Sequence, residues 1–240
     1  MPDAPRSCDP HLDLVAFKYS LPHLTQSLKR QRKTKIVAIG SSSTAGEKSS
    51  TGEVKIVPFP HRLELALRNR SYGRMIDVLN RGFGGQEAPD QLSRFEPDVI
   101  GEAPALVIWQ VGTNAVFHSE VYSPDEVIAA IVVGLDWLSG LAMDVVLMDL
   151  QYTTAVIEPD DRLKLSEKMV SRISAAAEKA HVNVFRRFDL MRQWCLKDNI
   201  PMADLIDPED TFKLHMSDWA TNGVTQALFG AIAGAPPATA

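Results

Sequence analysis

The 240-residue sequence is poor in features that mark several classes of protein. It contains two cysteines, Cys8 and Cys195, which lie far apart and in no metal-binding spacing. They are interpreted either as two free thiols or as one disulfide that ties down the N-terminal segment. The sequence also lacks a run of about 18 or more apolar residues, so no transmembrane span is predicted.

The sequence also has no excess of basic residues. There are 25 Lys and Arg residues against 30 Asp and Glu, which gives a formal net charge of −5 and a pI near 5.7. The one basic cluster, residues 29–35, is short and is interpreted as a solvated surface. We therefore expect no nucleic-acid partner.

The first residues, Met1 to Arg6, lack the basic and apolar regions of a signal peptide. A cytoplasmic location is expected for the chain as written. A periplasmic or secreted location is expected if a leader peptide was removed from a longer form.

What the sequence does contain is an alternation of short apolar runs with helical patterns. Apolar runs typical of buried parallel strands lie at residues 36–39, 75–79, 105–111, 145–150 and 182–185. This alternation predicts an α/β fold: a doubly wound, flavodoxin-like parallel sheet of about five strands with helices on both faces. Residues 1–34 are predicted to form a lead segment packed on a single domain at 35–233, and residues 234–240 a disordered tail.

Small hydroxyl residues follow the first predicted strand. Residues 40–46 read Gly-Ser-Ser-Ser-Thr-Ala-Gly. Ligands of open α/β sheets bind at the carboxyl ends of the strands, so a serine in this turn is placed where it could react with a bound ligand. Ser42 is the favoured one, because alternation along the chain would turn Ser43 away.

Two further strand ends carry distinctive residues. The second predicted strand leads into Gly82-Phe-Gly-Gly85, where three glycines in four positions indicate a sharp turn or a closely approached backbone. Dinucleotide binding is not indicated, because Glu87 stands where a third glycine is required. The third strand leads into Gly112-Thr-Asn114.

His215 lies in a loop just ahead of the last predicted helix. Ser217 is expected to cap that helix, whose buried face would be formed by Val224, Leu228 and Ile232. Such a position can present the imidazole to a neighbouring strand end.

Taken in order, these four segments resemble the motifs of the SGNH (GDSL) hydrolases, and the resemblance covers residues 34–233. It implies an SGNH-type fold with Ser42 as nucleophile and His215 as general base. It also implies an oxyanion hole formed by the N–H groups of Ser42 and Gly85 and by the side-chain amide of Asn114. Glycine at position 85 is expected to let the backbone come close to the carbonyl of the substrate. No cofactor and no metal are expected.

Two residues depart from the pattern of that family. Ser41 stands where an aspartate usually precedes the nucleophile, so the support of the turn must be built differently. Phe212 stands three residues before His215, where the orienting acid is usually found. Asp210 is the candidate acid, with Asp207 in reserve, and a Ser–His dyad is the remaining possibility.

The resemblance implies a serine esterase that forms an acyl-enzyme on Ser42. The favoured substrate is an O-acetyl or other short acyl group on a carbohydrate, so the expected partner is a small-molecule or carbohydrate ester. The alternatives are an acyltransferase with the same residues and a non-catalytic carbohydrate-binding relative. The sequence leaves the oligomeric state open.

Overall fold

The computed structural model of the protein describes residues 8–46 and 55–237. The last three residues of the predicted tail therefore lie outside the described residues. Within the described ranges the strands are β1 Lys33–Gly40, β2 Met75–Gly82, β3 Leu106–Gln110, β4 Asp144–Met148 and β5 Asn183–Phe185. The α-helices of the same ranges are α1 Leu12–Val15, α2 Pro22–Arg30, α3 Ser42–Ala45, α4 Phe59–Arg70, α5 Ala88–Leu92, α6 Thr113–Phe117, α7 Pro124–Ser139, α8 Thr154–Ile157, α9 Asp160–Lys179, α10 Arg187–Leu196, α11 Met202–Leu205 and α12 Asp218–Ala233, with a π-helical turn at Glu96–Ile100.

The strands form one parallel sheet in the order β2-β1-β3-β4-β5. This is the flavodoxin-like order, and the predicted doubly wound α/β fold is confirmed. The direction of winding reverses between β1 and β3. The carboxyl ends of these two strands therefore border the crevice in which ligands of such sheets bind.

Burial on both faces explains why the central strands are continuous apolar runs. All five residues of β3 are buried, as are the last five of β1. Fully burying one aliphatic side chain stabilises a fold by roughly 1.5–3 kcal/mol, so these strands anchor the core. β2 extends three residues beyond the predicted run, because Arg81 and Gly82 still pair with Ile39 and Gly40 of β1. As an edge strand, β2 tolerates polar side chains there.

Helices cover both faces of the sheet. Contacts join α4, α10, α12 and α1 into one layer and α5, α7 and α9 into the other. Helix α7 lies close to β3, since a Cβ on Gly134 would come within 2.5 Å of the ring of Trp109. Trp109 itself is fully buried.

The N-terminal segment is fastened to the amino-terminal edge of the sheet. The backbone N–H of Leu24 donates to a carboxylate oxygen of Asp144 (2.8 Å), the first residue of β4. Tyr19 and Asn183 exchange two hydrogen bonds of 2.8 Å, which tie the segment to the start of β5. The division of the chain at residue 34 stays a prediction.

Helix α12 begins as predicted. Ser217 occupies the N-cap, and its hydroxyl accepts a hydrogen bond of 3.1 Å from the backbone N–H of Ala220. Val224, Leu228 and Ile232 are buried on the inner face. The loop before this helix is thereby held at the carboxyl edge of the sheet.

Cys8 and Cys195 are free thiols, so the structure contains no disulfide between them. Burial raises the pKa of Cys8 to about 12 and that of Cys195 to about 11. Among the described residues, no helix is both long and apolar enough to cross a membrane.

Candidate active site

The turn that follows β1 carries Ser42 at the start of the one-turn helix α3. Its hydroxyl oxygen lies 3.0 Å from Nε2 of His215, a residue 173 positions further along the chain. This is hydrogen-bonding distance for a serine and a base that takes its proton.

Ser41 is supported by the end of the neighbouring strand. Its backbone N–H and its hydroxyl both donate to Oε1 of Gln110, at 2.8 Å each. The hydroxyl of Thr44 lies 3.3 Å from the same oxygen. The amide of Gln110 thus fastens the turn to β3, in a chain that has serine where the resembled family has aspartate.

The imidazole of His215 faces the carboxylate of Asp210. Nδ1 of the imidazole lies 3.1 Å from Oδ2 of Asp210, whose side chain is almost fully buried. The same oxygen accepts the backbone N–H groups of Leu214 (2.7 Å) and His215 (2.6 Å), and Oδ1 accepts that of Phe212 (3.0 Å). The carboxylate therefore shapes the loop as well as facing the ring.

Asp210 is held in its charged form. Burial by itself raises the pKa of the carboxyl group, but the three backbone N–H donors and the neighbouring imidazole outweigh it, so the pKa lies below its ordinary value. An ionised carboxylate can stabilise an imidazolium at Nδ1.

Asp207, the reserve candidate, lies elsewhere. Its carboxylate contacts Nζ of Lys55 at 3.0 Å and accepts the backbone N–H of Glu209 at 3.0 Å. Its own backbone N–H donates to the carbonyl oxygen of His215 (2.9 Å). The structure brings Asp210, not Asp207, within hydrogen-bonding distance of the imidazole. A Ser–His dyad that works without the carboxylate stays an alternative prediction.

The glycine-rich turn after β2 places Gly85 at the same edge of the sheet. Its φ of +79° favours glycine. A Cβ at this position would meet no atom of the described residues within 4 Å, so packing within the protein does not require glycine here, and the close approach of a substrate to this backbone stays a prediction. Packing does require glycine at Gly82, where a Cβ would lie 2.2 Å from the backbone nitrogen of Ala45.

Asn114 is buried at the start of α6. Its Nδ2 donates to the carbonyl oxygen of Gln86 at 2.8 Å, which joins it to the glycine-rich turn. A primary amide has a second N–H, which is the donor that an oxyanion would need.

Glu87 holds the loop that carries Asn114. Oε1 of this fully buried carboxylate accepts the backbone N–H groups of Ala88 (2.9 Å) and Gly112 (2.8 Å). Oε2 accepts those of Asn114 (2.9 Å) and Ala115 (3.1 Å). Burial raises the pKa of Glu87, and the four N–H donors oppose this shift. In the sequence Glu87 bears only on the absence of a dinucleotide motif, and no local pattern marks this role.

A buried arginine reaches the Ser42 turn from the other side. Arg187 Nη1 donates to the hydroxyl of Ser43 (3.1 Å), whereas the hydroxyl of Ser42 is the one at hydrogen-bonding distance from His215. Nε and Nη2 of Arg187 donate to the backbone oxygen of Asp149 at 3.0 and 2.7 Å. Burial lowers the pKa of Arg187 to about 10 and raises that of Asp149 to about 7.

A small pocket opens beside Ser42 and His215. Its volume is about 30 Å³, and apolar atoms of Ile56, Pro58 and Met216 form part of its wall. Within residues 8–46 and 55–237, no three His, Cys, Asp or Glu side chains are grouped so as to hold a metal ion.

A family model described as the non-GDSL lipase-like family matches residues 7–236. The chain therefore belongs to the non-GDSL lipase-like family. Membership of the SGNH (GDSL) hydrolases, inferred from the four motifs, stays a prediction.

Similar proteins are known at the level of sequence and of structure. The uncharacterized lipoprotein YqeF of Bacillus subtilis (strain 168) is 33% identical over 79 residues, which cover 33% of this chain and 31% of that protein. Axe2, an acetylxylan esterase from Geobacillus stearothermophilus, superposes with a TM-score of 0.69 at 20% identity, over 83% of this chain and 94% of that one. LAE5, an alpha/beta hydrolase enzyme from the metagenome of Lake Arreo in Spain, superposes with a TM-score of 0.69 at 17% identity, over 85% of this chain and 97% of that one. At these identities the two structures show a shared fold.

Proposed function

We propose that this protein is a serine esterase that cleaves short acyl esters, with acetyl groups on carbohydrates as the favoured substrates. The observation that carries the proposal is the hydrogen-bonded series Ser42 Oγ, His215 Nε2, His215 Nδ1 and Asp210 Oδ2, with spacings of 3.0 and 3.1 Å. A serine hydroxyl becomes an effective nucleophile when a positioned base takes its proton.

The first half of the reaction forms an acyl-enzyme. Ser42 Oγ attacks the ester carbonyl while His215 Nε2 takes its proton, and the ionised Asp210 stabilises the imidazolium. The carbonyl oxygen gains negative charge, which the N–H groups of Ser42, Gly85 and Asn114 Nδ2 stabilise, each by roughly 3 kcal/mol in acyl-transfer enzymes. The tetrahedral intermediate collapses, and the departing alcohol takes the proton from His215.

The second half releases the acid. His215 Nε2 removes a proton from a water molecule that attacks the acyl carbonyl. The carboxylic acid leaves, and Ser42 regains its proton. A sugar hydroxyl in place of this water would make the protein an acyltransferase.

Two observations support the choice of substrate. The pocket beside Ser42 and His215 is small, about 30 Å³, and its partly apolar wall suits a short acyl group. Axe2, which shares the fold, is an acetylxylan esterase. Because fold alone does not determine function, the substrate must be tested on the site itself.

The test compares Ser42→Ala with the wild type in hydrolysis of p-nitrophenyl acetate. Loss of the nucleophile should lower kcat at least about 10³-fold. Ser43→Ala is the matched control, since it removes a neighbouring hydroxyl that faces Arg187, and a much smaller loss is expected. Equal rates for Ser42→Ala and the wild type, or a fluorophosphonate label found on another residue, would remove the proposal.

A further inference from the structure

An exposed aromatic side chain lies in the loop between Asp210 and His215. Phe212 is 66% exposed, and Tyr72 (91%) and Phe83 (64%) are also exposed elsewhere on the surface. Phe212 belongs to the loop that orients His215, and its backbone N–H is fixed by Asp210 Oδ1 at 3.0 Å. The ring is thus presented to solvent from a segment whose backbone is held in place.

A second aromatic ring supports it. The ring centroid of Phe117 lies 6.1 Å from that of Phe212, with 79° between the ring planes. Phe117 ends helix α6, three residues after Asn114, and the guanidinium of Arg162 lies 5.7 Å from its centroid. The pair therefore links the His215 loop to the helix that carries Asn114.

These two segments are the ones that would hold the carbonyl of an ester. The alcohol part of that ester is joined to the carbonyl carbon through one oxygen atom, so a sugar ring must lie within a few bonds of the carbonyl. The exposed ring of Phe212 lies three residues before His215 and packs on Phe117, three residues after Asn114, so it joins the two segments that would flank the carbonyl. The negative face of an aromatic ring attracts the weakly positive C–H groups on the apolar face of a pyranose.

We propose that Phe212, backed by Phe117, forms an aromatic ledge on which the sugar ring of the ester substrate stacks. The proposal rests on the proposed function and names the residues that would select carbohydrate esters over acyclic ones. Phe212 acts in it as a substrate-binding residue and takes no part in proton transfer.

The experiment compares two acetate esters, xylose tetraacetate and ethyl acetate, which lacks a ring. Phe212→Ala and Phe212→Leu should raise KM for xylose tetraacetate about tenfold with little change in kcat, since an aromatic contact contributes up to roughly 1.5 kcal/mol. Phe212→Tyr keeps an aromatic face and should behave like the wild type. Phe212→Ala and Phe212→Leu should lose much less activity on ethyl acetate than on xylose tetraacetate. The control Tyr72→Ala, which removes an aromatic ring that is 91% exposed just ahead of β2, should hydrolyse both esters at the wild-type rate.

Equal losses on both esters would overturn the ledge, because Phe212 would then only support the loop of Asp210 and His215. An unchanged KM for xylose tetraacetate would overturn it too. Calorimetric binding of xylose tetraacetate to Ser42→Ala, with and without Phe212→Ala, separates this proposal from the proposed function. If the wild type hydrolyses neither ester but binding depends on Phe212, the ledge is supported and the esterase is refuted. If the wild type hydrolyses the esters, and neither hydrolysis nor binding changes when the Phe212 ring is removed, the ledge alone is refuted.

Discussion

At the scale of single residues, the two carboxylates of the His215 loop have different partners and should have different effects. Asp210→Asn replaces the charge that faces Nδ1 of His215 with a neutral amide. We expect kcat for p-nitrophenyl acetate to fall at least about a hundredfold, because the imidazolium loses its counter-charge. Asp207→Asn, which alters the contacts with Lys55 and Glu209, should cause a much smaller loss.

Steady-state kinetics of both variants, with thermal unfolding to check that each is folded, measure the difference. A folded Asp210→Asn enzyme of unchanged kcat would show that His215 works without a carboxylate. A larger loss in Asp207→Asn would assign the acid to residue 207.

Glu87 is the second residue whose substitution should change the geometry of the site. Glu87→Gln replaces an oxygen that accepts two backbone N–H groups with an NH₂ group that accepts none. Buried N–H groups left unsatisfied cost about 1–3 kcal/mol, and the loop that carries Asn114 should shift. We expect a lower free energy of unfolding together with a lower kcat.

Urea denaturation and the acetate assay measure these two effects. Glu120→Gln is the control, because it makes the same chemical change on a side chain that is 67% exposed. If Glu87→Gln matched the control in both measurements, the carboxylate would have no positioning role.

At the scale of secondary-structure elements, the contact between α3 and β2 decides where Ser42 sits. A Cβ on Gly82 would lie 2.2 Å from the nitrogen and 2.6 Å from the Cα of Ala45, so the backbone of α3 would have to move. Gly82→Ala should therefore lower kcat/KM at least about tenfold and destabilise the fold by about 1–3 kcal/mol.

Gly84→Ala is the matched control in the same turn. A Cβ there meets no atom of the described residues within 4 Å, and the backbone is not left-handed. Near-wild-type kinetics are expected for this variant. Full activity of Gly82→Ala would mean that the Ser42 turn is not held by β2.

At the scale of the whole molecule, the buried pair of Asp149 and Arg187 joins the end of β4 to α10 and to the Ser42 turn. Within the described residues, Oδ2 of Asp149 has no hydrogen-bond partner, while Oδ1 accepts the backbone N–H of Phe188 at 2.9 Å. Burial is the main cause that raises the pKa of Asp149 from 3.8 to about 7. Between these pH values the folded protein keeps a proton that the unfolded chain releases.

The unfolded state thus binds fewer protons in this window, and the contribution of Asp149 to stability falls as pH rises from about 4 to about 7. Asp149→Asn removes this contribution and keeps an acceptor for Phe188. The free energy of unfolding of the wild type minus that of Asp149→Asn should decrease steadily across the window. The exposed control Asp161→Asn should show no such trend, and a difference for Asp149→Asn that is constant with pH would contradict the assignment.

The sequence by itself was enough to predict the five-stranded parallel sheet, because strands that are buried on both faces consist of contiguous apolar residues. It also placed Ser42, Gly85, Asn114 and His215 at strand ends or a helix start. The parallel direction of the strands then puts such ends at one edge of the sheet. These signals are local in the sequence, so they can be recognised without knowing how the helices and strands pack together.

Only the tertiary structure decided which distant groups meet around them. Asp210 and Asp207 are equally polar in the sequence, and the folding of their loop turned one toward His215 and the other toward Lys55. No local pattern in the sequence marks Gln110 or Arg187, although Arg187 contacts Ser43 from 144 positions away. A hydrogen-bond partner depends on the relative placement of separate elements, and that placement is set by packing rather than by any local pattern.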